Sequence, residues 1–461
     1  MQNKALARAV LHANSWLVEL DERSVASVVD ITTLKERLGG PLRDAGTDPA
    51  QVIDELVNDT KDGHLGCAGG RFFAWVIGGG LESALAADWL VSAWDQNAAL
   101  SACGPAVSVV EEVAGEWLKE LLDLPREASF GFTTGCQLAH FTSLAAARHA
   151  LLRDLDWNVE ERGLFQAPSL SVITNQQKHD SVDRAVRYLG MGSQSIIRAE
   201  TTSEGQITTK GLESALSQAE GRAIVVLNAA DLNVGACDQF SELIPIAHDA
   251  GAWVHIDGAF GLFARASRTK KHFLNGVEAA DSWATDGHKW LNVPFDCGIA
   301  IVRDKEAHQA AMTISASYIS ASSKARDQID WSPEWSRRAR GVPVYAALKE
   351  LGKSGVEQLV DRCCDFCTQL VSRIGDLPNA QIVSYPALNQ GLLRFTKRGA
   401  SDAENDDYTN EVIGKINATG EAFFSGTNWQ GLRAMRVSVV NWRTSQEDVD
   451  RTVSAVKSIL T

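Results

Sequence analysis

The chain has no apolar run long enough to span a bilayer. Its first thirty residues, Met1 to Asp30, mix charges throughout and lack the continuous apolar core of a secretory signal. A membrane span and export are therefore not expected, and a cytoplasmic location is. Positive charge is also short, with 44 Lys and Arg against 58 Asp and Glu and a net charge of −14. Nucleic acid and anionic membrane surfaces are poor partners for such a chain, and the surplus reads as an aid to solubility. There is no internal repeat and no low-complexity tract. The eight cysteines, at 67, 103, 136, 237, 297, 363, 364 and 367, are too scattered in 461 residues for a disulfide scaffold. Cys364 and Cys367 have C-x-x-C spacing, but no second pair or histidine lies near and their segment reads as an amphipathic helix. Core packing is expected of them, and no metal site. Tyrosine is scarce, with five in the chain, at 188, 318, 345, 385 and 408.

What is present is the pattern of an α/β protein. Of the residues, 45% are hydrophobic and 22% charged, and the length suggests one large domain with smaller companions. The segment from Asn3 to Val25 has apolar residues at helical spacing. From about residue 70, short apolar β-rich runs (171–175, 223–228, 252–257 and 298–302) alternate with helical stretches. Runs that are apolar throughout, separated by helices, indicate a mainly parallel sheet covered on both faces, with functional groups beyond the carboxyl ends of its strands. After about Gly341 a helix, strands near LLRFT and MRVSVV and a closing helix suggest a small α+β domain. The expected division is an N-terminal helical segment over 1–69, a large α/β domain over 70–340 and the small domain over 341–461.

Four short elements fall at successive strand ends. Thr133, Thr134, Gly135 and Cys136 precede a long helix, where exposed amides suit a phosphate. His179 follows the run SVITN and precedes a helix, placed to lie flat on an aromatic ring. Asp257 closes AWVHID before Gly258, where a carboxylate can hold a protonated pyridine nitrogen. Lys289, in the turn His288-Lys289-Trp290, lies in sequence near Trp283, Trp290, Leu291 and Phe295; poor solvation there is expected to lower its pKa and free the amine for Schiff-base chemistry. Each element alone has a commoner reading, as a helix cap, an exposed histidine, a turn aspartate or a snorkelling lysine. Together they supply the anchor, ring sandwich, pyridinium partner and imine-forming amine that pyridoxal 5′-phosphate (PLP) needs.

On these residues, above all DSWATDGHKWLNVPFDCG and HIDGAFG, the sequence resembles the group II PLP-dependent decarboxylases over most of its length, from about residue 70 to 450. The resemblance implies PLP fold type I, aspartate-aminotransferase-like, and a homodimer whose N-terminal helices wrap against the partner. It implies that Lys289 forms the Schiff base, His288 contacts the phosphate, Asp257 binds the pyridine nitrogen, and Ala259 and His179 lie on the two ring faces. Thr134, Gly135 and Cys136 fall at the phosphate positions, and Trp75 and Val76 at the substrate pocket.

Three departures stand out. Ala230 to Val234 replaces a stretch that often carries small and hydroxyl residues, and Cys136 stands where serine is usual. Trp331 falls where the family has the loop tyrosine that protonates the substrate carbon after CO2 leaves; indole has a donor but no useful acidity. Tyr318, His179 or water remain as sources of that proton. The expected activity is decarboxylation of an L-amino acid, with Trp75 and Val76 favouring an aromatic or apolar side chain. Oxidative conversion to an aldehyde, or a relative without turnover, are the alternatives.

Overall fold

The computed structural model describes residues 3–314 and 326–461. Three helices open the chain: α1 (Lys4–Glu19), α2 (Ile31–Leu38) and α3 (Pro49–Asp59). Each is capped by the side chain before it, Asn3, Asp30 and Asp48, which accepts backbone N–H groups of the first turn. None of the three contains a fully buried residue. Helices α4 (Glu82–Trp94) and α5 (Pro105–Leu121) lead into the first sheet.

That sheet has seven strands: β1 (Ser129–Thr133), β2 (Leu170–Thr174), β3 (Ile196–Arg198), β4 (Arg222–Asn228), β5 (Trp253–Asp257), β6 (Ser282–Asp286) and β7 (Gly298–Val302). Their order is β1-β7-β6-β5-β4-β2-β3. Strands β3, β2, β4, β5 and β6 pair in parallel, and β7 runs antiparallel to both neighbours. Strands β5, β6 and β7 are buried along their whole length, as expected of a sheet covered on both faces. The covering helices are α6 (Cys136–Arg153), α7 (Val159–Arg162), α8 (Asp180–Tyr188), α9 (Thr209–Gln218), α10 (Phe240–Asp249) and α11 (Lys305–Met312). Among the described residues no helix is long and apolar enough to cross a membrane.

Helix α12 (Gly341–Gly375) passes from this unit to the next and turns at Gly352, whose φ of 59° lies in the left-handed region. Before the turn Tyr345 stacks on Trp117 of α5; after it Cys363, Cys364 and Cys367 are buried in the core, as the C-x-x-C reading expects. The second sheet is antiparallel, β10-β11-β9-β8, formed by β8 (Ala380–Ser384), β9 (Gln390–Phe395), β10 (Ser425–Trp429) and β11 (Leu432–Ser438). Helices α13 (Asp402–Ala418) and α14 (Gln446–Leu460) both begin with a capping box.

Residues 70–81 tie the two units together. The Phe73 amide donates to Phe423 and its carbonyl accepts from Ser438, beside the second sheet. A few residues later the chain reaches the turn that carries Lys289. Gly78 comes so near that a Cβ would stand 2.1 Å from the Lys289 carbonyl oxygen, so only glycine fits. Asn292 closes the junction. Its Oδ1 accepts from the Gly79 and Trp442 amides, each at 2.9 Å, and its Nδ2 donates to the Trp290 and Val440 carbonyls, each at 2.8 Å. The side chain is fully buried, at 0% exposure, so these four bonds have no water to replace them.

Replacing Asn292 by Leu would leave two backbone N–H and two carbonyl groups buried without partners. A loss of about 4 kcal/mol or more is expected, read as a lowered urea midpoint; a midpoint within error of the parent would show that the junction does not depend on this amide.

Candidate active site

The register of the first sheet brings several strand ends to one edge. Asn228 lies opposite Asp257, and Gly298 lies opposite both Asp286 and Thr133. A cavity of about 570 Å³ opens there. It is lined by Trp75, Val76, Thr134, Gly135, Cys136, His179, Asp257, Ala259, His288 and Lys289, ten residues singled out from the sequence. Trp331 is not among the lining residues. Its carbonyl accepts from His308 Nε2 at 3.0 Å, its ring meets His308 edge-on, and the Arg326 guanidinium covers it. Tyr318 lies outside the described residues.

The Lys289 amine does not sit in an apolar cage. Its Nζ is 3.0 Å from Asp286 Oδ2, while Asp286 Oδ1 accepts the Cys136 amide at 2.6 Å. Trp283 and Trp290 turn into the core, the first donating its indole N–H to the Val277 carbonyl. The expectation of a lowered lysine pKa is therefore corrected. Burial pushes the amine down, but the Asp286 carboxylate outweighs it and holds the pKa above the ordinary lysine value.

The two imidazoles are fixed by backbone donors. His288 Nδ1 accepts the Cys297 amide at 3.1 Å, and the ring lies 4.4 Å from that of Phe295. His179 is the N-cap of α8, its Nδ1 accepting the Ser181 amide at 3.1 Å with the Ser181 hydroxyl 2.8 Å away. In both rings the acceptor role of Nδ1 leaves the proton on Nε2. Burial lowers both pKa values, so both are neutral near pH 7. Asp257 is oriented by the Ala259 amide, 3.2 Å from Oδ1, and by His140 Nε2, 3.5 Å from Oδ2. Burial alone would raise its pKa; His140, with His179 and Lys289 further off, more than reverses this and keeps it an anion.

This donor set fits pyridoxal phosphate: an anion at a strand end for a ring nitrogen, a neutral imidazole, an amine, and a close approach to a helix N-terminus. At that approach Gly135 has φ +140°, and a Cβ would stand 3.4 Å from His288 Cε1, filling the gap between helix and imidazole. The Cys136 amide is engaged by Asp286, so its contact with a phosphate requires that bond to open. The Cys136 thiol faces His140 Nε2 at 3.4 Å.

Several lining residues were not reached from the sequence. Asp286 stands three positions before Lys289 in the same motif, where a carboxylate could have been weighed. Asp231 Oδ1 accepts the amides of Asn233 at 2.7 Å and Val234 at 2.9 Å, while Oδ2 is buried without a partner. Arg436, on β11, also lines the cavity with its Nε buried and unpartnered. Burial pushes Asp231 up to about 6 and Arg436 down to about 10.

Residues 49–397 match the model of the pyridoxal-dependent decarboxylase conserved domain. Aromatic-L-amino-acid decarboxylase of Bacillus atrophaeus is 26% identical over 95% of this chain and 91% of its own length. L-2,4-diaminobutyrate decarboxylase of Rhizobium meliloti is 25% identical over 81% of this chain and 74% of its own. The crystal structure of Oryza sativa TDC with PLP and tryptamine superposes with a TM-score of 0.92 at 21% identity, covering 99% of this chain and 96% of the other.

Asp286→Asn should lower the pKa of Lys289, since the substitution removes the carboxylate that raises it and leaves burial unopposed. In cofactor-free protein, labelling of Lys289 by an amine-reactive reagent, followed by peptide mass spectrometry, should reach half-maximal rate at lower pH than in the parent. An unmoved midpoint would assign the raised pKa to another group.

Proposed function

We propose, from the premise that this chain belongs to the pyridoxal-dependent decarboxylase family and decarboxylates an amino acid with pyridoxal phosphate as cofactor, that its substrate bears an aromatic or apolar side chain. The observation that carries this reading is the cavity wall formed by Trp75 and Val76, with Phe260 and Phe295 also lining the cavity. Both Trp75 and Val76 lie in the left-handed region, with φ of 54° and 57°. That is a strained conformation, most of all for β-branched valine. Trp75 is held there against the rings of Phe72 and Phe423, with centroids 5.9 and 5.5 Å away. Strain of this kind, kept by its surroundings, is common at binding sites.

Pyridoxal phosphate, when bound, supplies a carbonyl that amines condense with and a ring that draws electrons from the bond to be broken. Lys289 is the amine that holds it, and Asp286, already paired with that amine, is the carboxylate placed to take its proton. Asp257 keeps a proton on the ring nitrogen. His179 presents a fixed Nε2–H at the cavity. The buried guanidinium of Arg436 suits the substrate carboxylate, and Val76 and Trp75 meet the side chain.

A second outcome is favoured by one observation: among the described residues no tyrosine lines the cavity. Where no phenol protonates the carbon after CO2 leaves, oxygen and water can react there instead, giving aldehyde, ammonia and hydrogen peroxide. The partner is a second copy of the chain. The absence of buried residues in α1 to α3, with Leu6, Val18 and Ile31 at 56%, 81% and 72% exposure, supports a homodimer covered by these helices.

A panel of L-amino acids given to PLP-loaded protein should yield amine and CO2 from aromatic members. Aldehyde with peroxide would establish the oxidative outcome instead, and turnover confined to acidic or diamino substrates would overturn the side-chain reading. Lys289→Ala should lower turnover by at least about 10²-fold; full activity with an intact imine absorbance would refute the role given to Lys289. Charged replacements at Val18 and Ile31 together should shift sedimentation from dimer towards monomer, whereas an unchanged dimer would place the interface elsewhere.

A further inference from the structure

Behind Asp257, on the side away from the cavity, lies a chain of buried polar groups that the reaction as described does not use. Ser282, at the start of β6, accepts the Trp253 indole N–H at 2.9 Å. Its hydroxyl keeps a proton to give, and His255 Nδ1 lies 2.9 Å away. Burial holds the His255 pKa well below the ordinary value, so the ring is neutral and carries a single proton. His255 Nε2 is 2.9 Å from His140 Nδ1, and the Asp257 carboxylate beside His140 Nε2 calls for a proton on that nitrogen, which leaves His140 Nδ1 to accept from His255 Nε2 and His255 Nδ1 to accept from Ser282. That N–H points to Asp257 Oδ2 at 3.5 Å and to the Cys136 thiol at 3.4 Å. Ser282, His255 and His140 are all fully buried, at 0% exposure, so water neither completes nor breaks the chain.

We infer that Ser282, His255 and His140 form a relay of positioning residues that delivers one N–H to Asp257 from behind, and so sets how firmly Asp257 holds the proton on the cofactor's ring nitrogen. The Asp257 carboxylate fixes the direction of the relay, because an ionised carboxylate can only accept. Every donor then points towards Asp257. The inference rests on the reading that Asp257 faces the ring nitrogen.

The test uses full-length protein stripped of cofactor, titrated by fluorescence with pyridoxal phosphate and with its 1-deaza analogue, in which the ring nitrogen is a C–H. The parent should prefer pyridoxal phosphate. His140→Leu should reduce that preference about tenfold, leaving affinity for the analogue unchanged. His140→Gln, which keeps an N–H near Oδ2, should restore most of it. The 15N resonance of ring-labelled cofactor should move towards the unprotonated position in the leucine variant and back in the glutamine variant. Equal loss of both ligands, or an unmoved resonance, would overturn the relay. Should His140→Leu not fold, Ser282→Ala decides, since it removes the first donor and should lower the preference in the same direction; an unchanged preference there also overturns it. Asp257→Asn separates the two readings. If it leaves the preference intact, the placement of Asp257 itself fails; if it abolishes the preference while His140→Leu does not, only the relay fails.

Discussion

The buried side-chain amide of Asn292 is the constraint on which the site's geometry depends. It joins the turn that carries Lys289, the segment entering at Gly79 and the end of the second sheet at Val440 to Trp442. Each bond is made to backbone, so the three segments are fixed whatever side chains they carry. The cavity has walls from both sides of this junction, with Trp75, Val76 and Arg436 from one and Asp257, Asp286 and His179 from the other. A pocket divided in this way keeps its shape only if its halves cannot slide. A buried amide with all four bonds satisfied resists sliding better than apolar packing, because partial displacement leaves polar groups unpaired.

Within that frame two carboxylates do different work because their partners differ. Asp286 faces an amine and a helix N-terminus, and its effect is to hold the amine protonated until something displaces it. Asp257 faces an imidazole and an amide, and its effect is to remain charged where burial alone would neutralise it. Under the proposed function, proton traffic at Lys289 and proton retention at the ring nitrogen would fall to separate groups. Neighbouring carboxyls pushed towards different roles by their surroundings are a common means of dividing acid–base tasks.

The strands at 171–175, 223–228, 252–257 and 298–302 were legible because a sheet buried on both faces leaves uninterrupted apolar runs, and His179 and Asp257 were legible because the first follows such a run and the second closes one. The environment of Lys289 was not. Proximity in sequence suggested tryptophans, but residues in a tight turn point in different directions, and Trp283 and Trp290 are core while Asp286 shares the cavity. His255 was within reach, since strand residues two apart share a face and it stands two before Asp257. Its partner His140 was not, because only the packing of α6 on the sheet brings them together. Arg436 lies on a strand that read as part of a separate C-terminal domain, and nothing in its local pattern places it in a cavity formed far earlier in the chain.

Asp231 and Arg436 give part of the cavity wall a polar character. Both are more than nine-tenths buried, both line the same space, and each keeps one polar atom without a protein partner. Leaving such atoms unpaired costs on the order of 1–3 kcal/mol each, and burial of the charged groups separately displaces both pKa values. A close ion pair between them would relieve it, but Asp231 Oδ1 is tied to its own loop by two amides. Both side chains line one cavity, so a ligand bound there meets both of them. A ligand that brings both an acceptor for the guanidinium and a polar group for the carboxyl satisfies both at once, whereas a purely apolar ligand satisfies neither. Under the proposed function, the aromatic wall at Trp75 is what would distinguish among amino acids that have already met the polar requirement.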